Sequence, residues 1–124
     1  VVENDRPRLP GVDLLPICGG QLKPDGNRLI FGEIYPGNAT SLSNPSKDIA
    51  YRWIRQANLK LIEPHKQADG SGPWGGHLRT TALFDVKADP FERHDLSNFD
   101  EYKQDIARLR TQLDRWWKPV SETR

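Results

Sequence analysis

The chain has 124 residues, enough for one domain that buries roughly two-thirds of the surface exposed when unfolded. Its charged side chains are nearly balanced, 18 basic against 17 acidic, so no broad field exists to attract nucleic acid or an anionic membrane. No window reaches the roughly 18 apolar residues of a membrane span, the first residues do not resemble a signal peptide, and the single cysteine, Cys18, excludes an intrachain disulfide or a cysteine metal cluster.

Residues 1–27 read as a lead-in segment. Pro7, Pro10 and Gly11 keep its start extended. Asp13 can then cap a short helical turn over residues 13–18, where Pro16 forfeits no hydrogen bond in the first turn and Gly19-Gly20 ends the run. Cys18 lies among Leu14, Leu15 and Ile17, a setting that predicts burial rather than nucleophilic chemistry.

Residues 28–118 read as one small domain, with a tail over 119–124. Arg28 to Tyr35 is a strand bounded by Asp25-Gly26-Asn27 and Pro36-Gly37-Asn38, and a polar loop follows to residue 49. Tyr51–Gln56 and Leu59–Glu63 form a hairpin around Ala57-Asn58, with Asn58 expected in the left-handed region. That turn sets Trp53 opposite Ile62, Ile54 opposite Leu61 and Arg52 opposite Glu63. It also sets Arg55 against Lys60, an unfavourable pair unless an acidic group reaches it.

A second loop fills 64–79, and a strand runs from Thr80 to Val86. The closing element is a helix: Phe99, Tyr102, Ile106, Leu109, Leu113 and Trp116 recur at spacings of three and four. Asn98 with Glu101 matches a capping box, and Pro119 marks the end. The expected fold is α+β, a small antiparallel sheet of about four strands packed against a long C-terminal helix.

Both faces of these strands are apolar: Ile30 and Ile34 against Leu29, Phe31 and Tyr35, and Trp53 against Ile54. One helix covers one face. Leaving the other open would forgo on the order of 5 to 10 kcal/mol at about 25 cal/mol per Å². Its cover is expected from further polypeptide, from a partner, or from residues 1–25 folding back. The absence of methionine, including a first one, points to a piece of a longer chain.

Sites for chemistry are sparse. His65, His77 and His94 are far apart in sequence and belong to no metal-ligand spacing. Asp85, Asp89, Glu92 and Asp95 do not follow a calcium-loop pattern. Asp89-Pro90 instead fixes a turn whose carboxylate can accept from backbone N–H groups, and Glu92 can pair with Arg93 or a hairpin base. Four loop cations, His65, Lys66, His77 and Arg79, are the candidates to face an anion.

Three segments carry a family likeness. Pro10-Gly11-Val12-Asp13-Leu14-Leu15-Pro16, Arg52-Trp53-Ile54-Arg55-Gln56-Ala57-Asn58-Leu59-Lys60-Leu61-Ile62 and Leu83-Phe84-Asp85-Val86-Lys87-Ala88-Asp89-Pro90-Phe91-Glu92-Arg93-His94-Asp95-Leu96 stand in order. With the helix ending Leu113-Asp114-Arg115-Trp116-Trp117, they resemble the C-terminal part of a sulfatase of the alkaline-phosphatase-like superfamily. Asp13, Arg52, Lys60, Asp85, Asp89, Pro90 and Glu92 are the matching structural positions.

The resemblance implies a noncatalytic small domain docked on the catalytic domain of the same polypeptide, with substrate-rim loops at 36–49 and 64–79. The parent would hydrolyse sulfate esters with calcium and formylglycine, in the periplasm, a secreted state or the lysosome. Neither cofactor is expected in this chain: Cys18 is followed by Gly19-Gly20-Gln21-Leu22, which is not a formylglycine motif, and the family's metal-binding Asp-Asp and Asp-Asn pairs are absent. The rival reading is a free-standing module for a sulfated glycan or another anionic ligand. Self-association through the uncovered sheet face is a further expectation.

Overall fold

The computed structural model describes residues 11–35, 37–65 and 78–119. A short helix α1 (Leu15–Cys18) precedes strand β1 (Ile30–Ile34), a 3-10 turn (Pro45–Lys47), β2 (Tyr51–Gln56), β3 (Leu59–Pro64) and β4 (Ala82–Asp85). A 3-10 turn (Asp100–Tyr102) then opens into helix α2 (Lys103–Trp116). The four strands form an antiparallel meander in the order β1-β2-β3-β4, and α2 packs on the sheet through β2 and β3. This is the expected α+β fold.

The hairpin register follows from side-chain alternation. Trp53 lies opposite Ile62, Ile54 opposite Leu61, Arg52 opposite Glu63 and Arg55 opposite Lys60. The turn departs from expectation, because Ala57 takes the positive φ, 51°, while Asn58 does not. A positive φ at the first of two central residues is the φ pattern of a type II′ turn, whose twist suits a two-residue hairpin loop. Ala57 therefore bears a backbone cost that glycine would not.

The sheet sorts its apolar residues into two clusters. On the helix side Ile54, Leu61 and Leu83 meet Ile106, Leu109 and Leu113, with Phe31, Leu59, Leu96 and Tyr102 at the margins. Each large side chain so buried contributes about 1.5–3 kcal/mol of transfer free energy. The ends of the expected helical stripe are more open: Phe99 is 55% and Trp116 42% exposed, and Trp116 stacks on Phe31 at 4.9 Å. The helix also starts differently. No side chain caps either the 3-10 turn or α2, so the Asn98–Glu101 capping box is not formed, and Phe99 precedes the 3-10 turn in extended conformation.

On the opposite side Ala50, Tyr51, Ile62, Ala82 and Phe84 form the second cluster, with Trp53, Leu78 and Val86 packed against it. The expectation of a wholly uncovered second face is thus corrected at the sheet's centre, where Tyr51, Ile62 and Phe84 are buried within the chain. Residues 11–25 do not supply this cover. Val12, Leu14, Leu15 and Leu22 are all exposed, and α1 buries no residue. Apolar surface on this side is open on β1, where Ile30 and Ile34 flank Gly32. Gly32 admits the ring of Trp53 from β2, because a Cβ at this position would lie 2.4 Å from the indole.

Strand β4 is shorter than the Thr80–Val86 run predicted, and β1 shorter than Arg28–Tyr35. Cys18, expected buried, is exposed, since α1 projects from the packed body of the domain.

Candidate functional site

Two of the four predicted rim cations, His65 and Arg79, lie among the described residues. Lys66 and His77 lie outside the described residues. The backbone of His65 continues the β3 end, its N–H donating to Ala50 O at 2.7 Å, and its ring Nδ1 is shielded from solvent. Arg79 is exposed beside Thr80.

The matching structural positions each hold a local contact. Leu15 N–H donates to Asp13 Oδ1 at 3.0 Å. Arg52 turns from Glu63 to α2, donating to Asp114 Oδ1 at 2.9 Å and Trp117 O at 2.5 Å. Lys60 reaches Glu92 at 2.6 Å and lies over Trp53, so Glu92 is the acid that relieves the Arg55–Lys60 opposition. The closing turn is tied by carboxylates. Asp85 Oδ1 accepts from Lys87 and Ala88 N–H, Asp89 Oδ2 from Arg93 and His94 N–H, and Asp95 Oδ1 from Leu83 and Ser97 N–H. Pro90 is exposed in this turn, and Glu92 holds a positive φ of 53°.

The bonds to Asp89 favour its ionised carboxylate. The N–H of His94, followed by that of Arg93, holds Asp89 below the usual carboxylate range. Asp48 is lowered in the same direction, first by the Thr40 hydroxyl at 2.5 Å and then by the N–H groups of Thr40 and Ser41. Burial, aided by Glu33 and Asp48, raises the Tyr35 phenol above its ordinary value. These groups shape loops.

A further polar region among the described residues carries no short sequence motif. A groove of about 430 Å³ runs between the approach to β4 and the near side of α2, walled by Thr80, Thr81, Ser97, Asn98, Lys103 and Arg110 over a floor of Ile106 and Ala107. Arg110 is held in place: Nε donates to Glu63 Oε1 at 2.7 Å and Nη2 to Thr81 Oγ1 at 2.9 Å, while Thr81 Oγ1 donates to Glu63 Oε2 at 2.9 Å. The residues come from distant parts of the chain, Glu63 and Arg110 lying 47 apart, which is why no short motif marked them.

The cofactors implied by the family likeness do not fit here. Among the described residues no three His, Cys, Asp or Glu side chains gather as a metal site, and exposed Cys18 lacks the sequence context for formylglycine. No helix among them is long and apolar enough to cross a membrane.

No protein-family model matches the chain. Over 40 residues, 32% of its length, it is 45% identical to an "Ulvan-active sulfatase" of Formosa agariphila. The chain has a distant, partial sulfatase relative. The matched stretch spans 7% of that relative's length, so the link is one of broad superfamily and leaves the relative's activity with the relative.

Proposed function

We propose that this chain is the noncatalytic C-terminal small domain of a sulfatase-like hydrolase. The observation that carries the reading is the 45% identity over 40 residues to a sulfatase. The fold supports it, with a four-stranded antiparallel sheet backed by a terminal helix, as the family likeness implies. In this reading residues 28–118 are the small domain, 1–27 are the lead-in from the catalytic body and 119–124 are a tail. The parent hydrolyses sulfate esters with calcium and formylglycine supplied by that body, outside the cytoplasm.

The exposed side chains of Val12, Leu14, Leu15 and Leu22, with Ile30 and Ile34 on β1, supply apolar surface suited to docking on the body. The rim role of His65, Lys66, His77 and Arg79 belongs to the same proposal.

Two measurements test it. The purified chain, given calcium and an aryl sulfate, should release no sulfate above buffer, and turnover at an ordinary enzyme rate overturns the reading. A catalytic body expressed separately should recover solubility and activity when this chain is added, and Leu14→Glu with Leu15→Glu should abolish the recovery. A body fully active without the chain also overturns it.

A further inference from the structure

The groove between β4 and α2 brings cations, hydroxyl groups and apolar side chains together. Its walls carry two cations, Lys103 and Arg110, and no carboxylate. Glu63 and Thr81 fix one edge of the Arg110 guanidinium through Nε and Nη2, leaving three of its five N–H bonds for another acceptor. A guanidinium held this way has less freedom to lose when it grips an oxyanion with two parallel hydrogen bonds.

Lys103 is 71% exposed and, among the described residues, paired with Asp100, itself 88% exposed three residues earlier, a surface contact that an anion can exchange at little cost. Arg79, exposed and without a partner among the described residues, adjoins Thr80 of the wall.

The remaining groups indicate what surrounds the anion. Ser97 Oγ donates to Asp95 and keeps lone pairs for a hydroxyl donor, while Thr80 and the Asn98 amide can donate. Ile106 and Ala107 give an apolar floor, and about 430 Å³ falls within the range of small-molecule clefts. The sum is an oxyanion grip beside hydroxyl-binding groups and an apolar patch, the chemistry of a sugar bearing a charged ester. A net charge of +1 over the chain argues against a dense polyanion such as nucleic acid, which needs an extended basic surface.

We propose that this groove is a noncatalytic subsite for a sulfated sugar unit, with Arg110 and Lys103 holding the sulfate and Ser97 and Asn98 the ring hydroxyls. The choice of sulfate over phosphate rests on the sulfatase reading above. The site would let the small domain hold a polymeric substrate away from the place of hydrolysis.

The test is an NMR and calorimetric titration of the full chain with a carrageenan tetrasaccharide, its desulfated counterpart, a phosphorylated oligosaccharide of equal length, and inorganic sulfate. The sulfated sugar should bind and shift the Ser97, Asn98 and Lys103 amides, and the desulfated one should not. Lys103→Ala and Arg110→Lys should each weaken binding by about tenfold, the loss of one charge-assisted contact. Lys103→Ala keeps the test valid if Arg110→Lys fails to fold.

Equal binding of the desulfated sugar, shifts confined to other surfaces, or unchanged affinity in Lys103→Ala overturns the site. Tighter binding of the phosphorylated sugar overturns the sulfate assignment and weakens the sulfatase reading with it. No binding by any oxyanion, alongside rescue of a separate catalytic body, removes the groove and leaves that reading standing.

Discussion

The closing turn from Asp85 to Ser97 and the lead-in from Gly11 to Asn27 are both short on regular structure, yet they are built on opposite terms. In the turn, Asp85, Asp89 and Asp95 each accept from two backbone N–H groups, and Leu96 N–H donates to Leu83 O, so the segment is sewn to β4. In the lead-in, Asp13 and Asp25 bond residues only two positions away, α1 buries nothing and four large apolar residues face outward. The first segment is fastened to the fold by its backbone and exposes one large apolar side chain, Phe91, whereas the second exposes four and donates no backbone N–H to a strand among the described residues.

The sharpest way to break that contrast is to truncate one leucine on each side of it. Leu109→Ala, in the fully buried layer that the closing turn feeds, should cost about 2–5 kcal/mol in urea unfolding. Leu15→Ala, at 79% exposure, should stay within about 0.5 kcal/mol. A loss above about 1 kcal/mol at Leu15 would show that the lead-in is structural after all.

A finer comparison sets one aspartate against another. Asp95→Ala removes the acceptor that ties Leu83 N–H across 12 residues and should lower stability by about 1 kcal/mol. α1 takes Leu14 rather than Asp13 as its N-cap, so Asp13→Ala removes only the local bond to Leu15 N–H and should leave the global urea midpoint unchanged.

Acid should distinguish the regions as well. Asp89 is depressed in the folded state, so its contribution is present above about pH 4 and is lost as the pH falls through its folded value. The stability gap between the parent chain and Asp89→Asn should therefore close on acidification. A gap that is constant with pH would sink the assignment. The smallest effect lies in the hairpin, where Ala57→Gly should raise stability by up to about 1 kcal/mol by relieving the positive φ.

Much of the fold could be read from the residues because its rules are local or periodic. Three- and four-residue spacing placed Ile106, Leu109 and Leu113 on the face that meets the sheet, and alternation about a two-residue loop gave the pairing of Trp53 with Ile62. What failed depended on competition between neighbours. Asn58 has the better intrinsic tolerance of a left-handed backbone, but strand twist selects the first turn position, which Ala57 occupies. Asn98 and Glu101 had the right spacing for a capping box, yet the chain enters α2 through a 3-10 turn without a side-chain cap.

The second face gains cover from Leu78 and Val86, whose packing strand alternation does not encode. Of the proposed anion-binding groove, only Arg79 at its border was anticipated. Arg110 acquires its setting through Glu63 and Thr81, and Lys103 shares its helix face seven residues earlier, a spacing that marks a common face but not a ligand.

The indole resting over Gly32 gives the outermost strand a molecular key. Sliding β1 by two positions in either direction preserves its inside-outside alternation, but it brings Ile30 or Ile34 beneath Trp53, where even a methyl group does not fit. A missing side chain thus forbids the misalignments that alternation alone would permit.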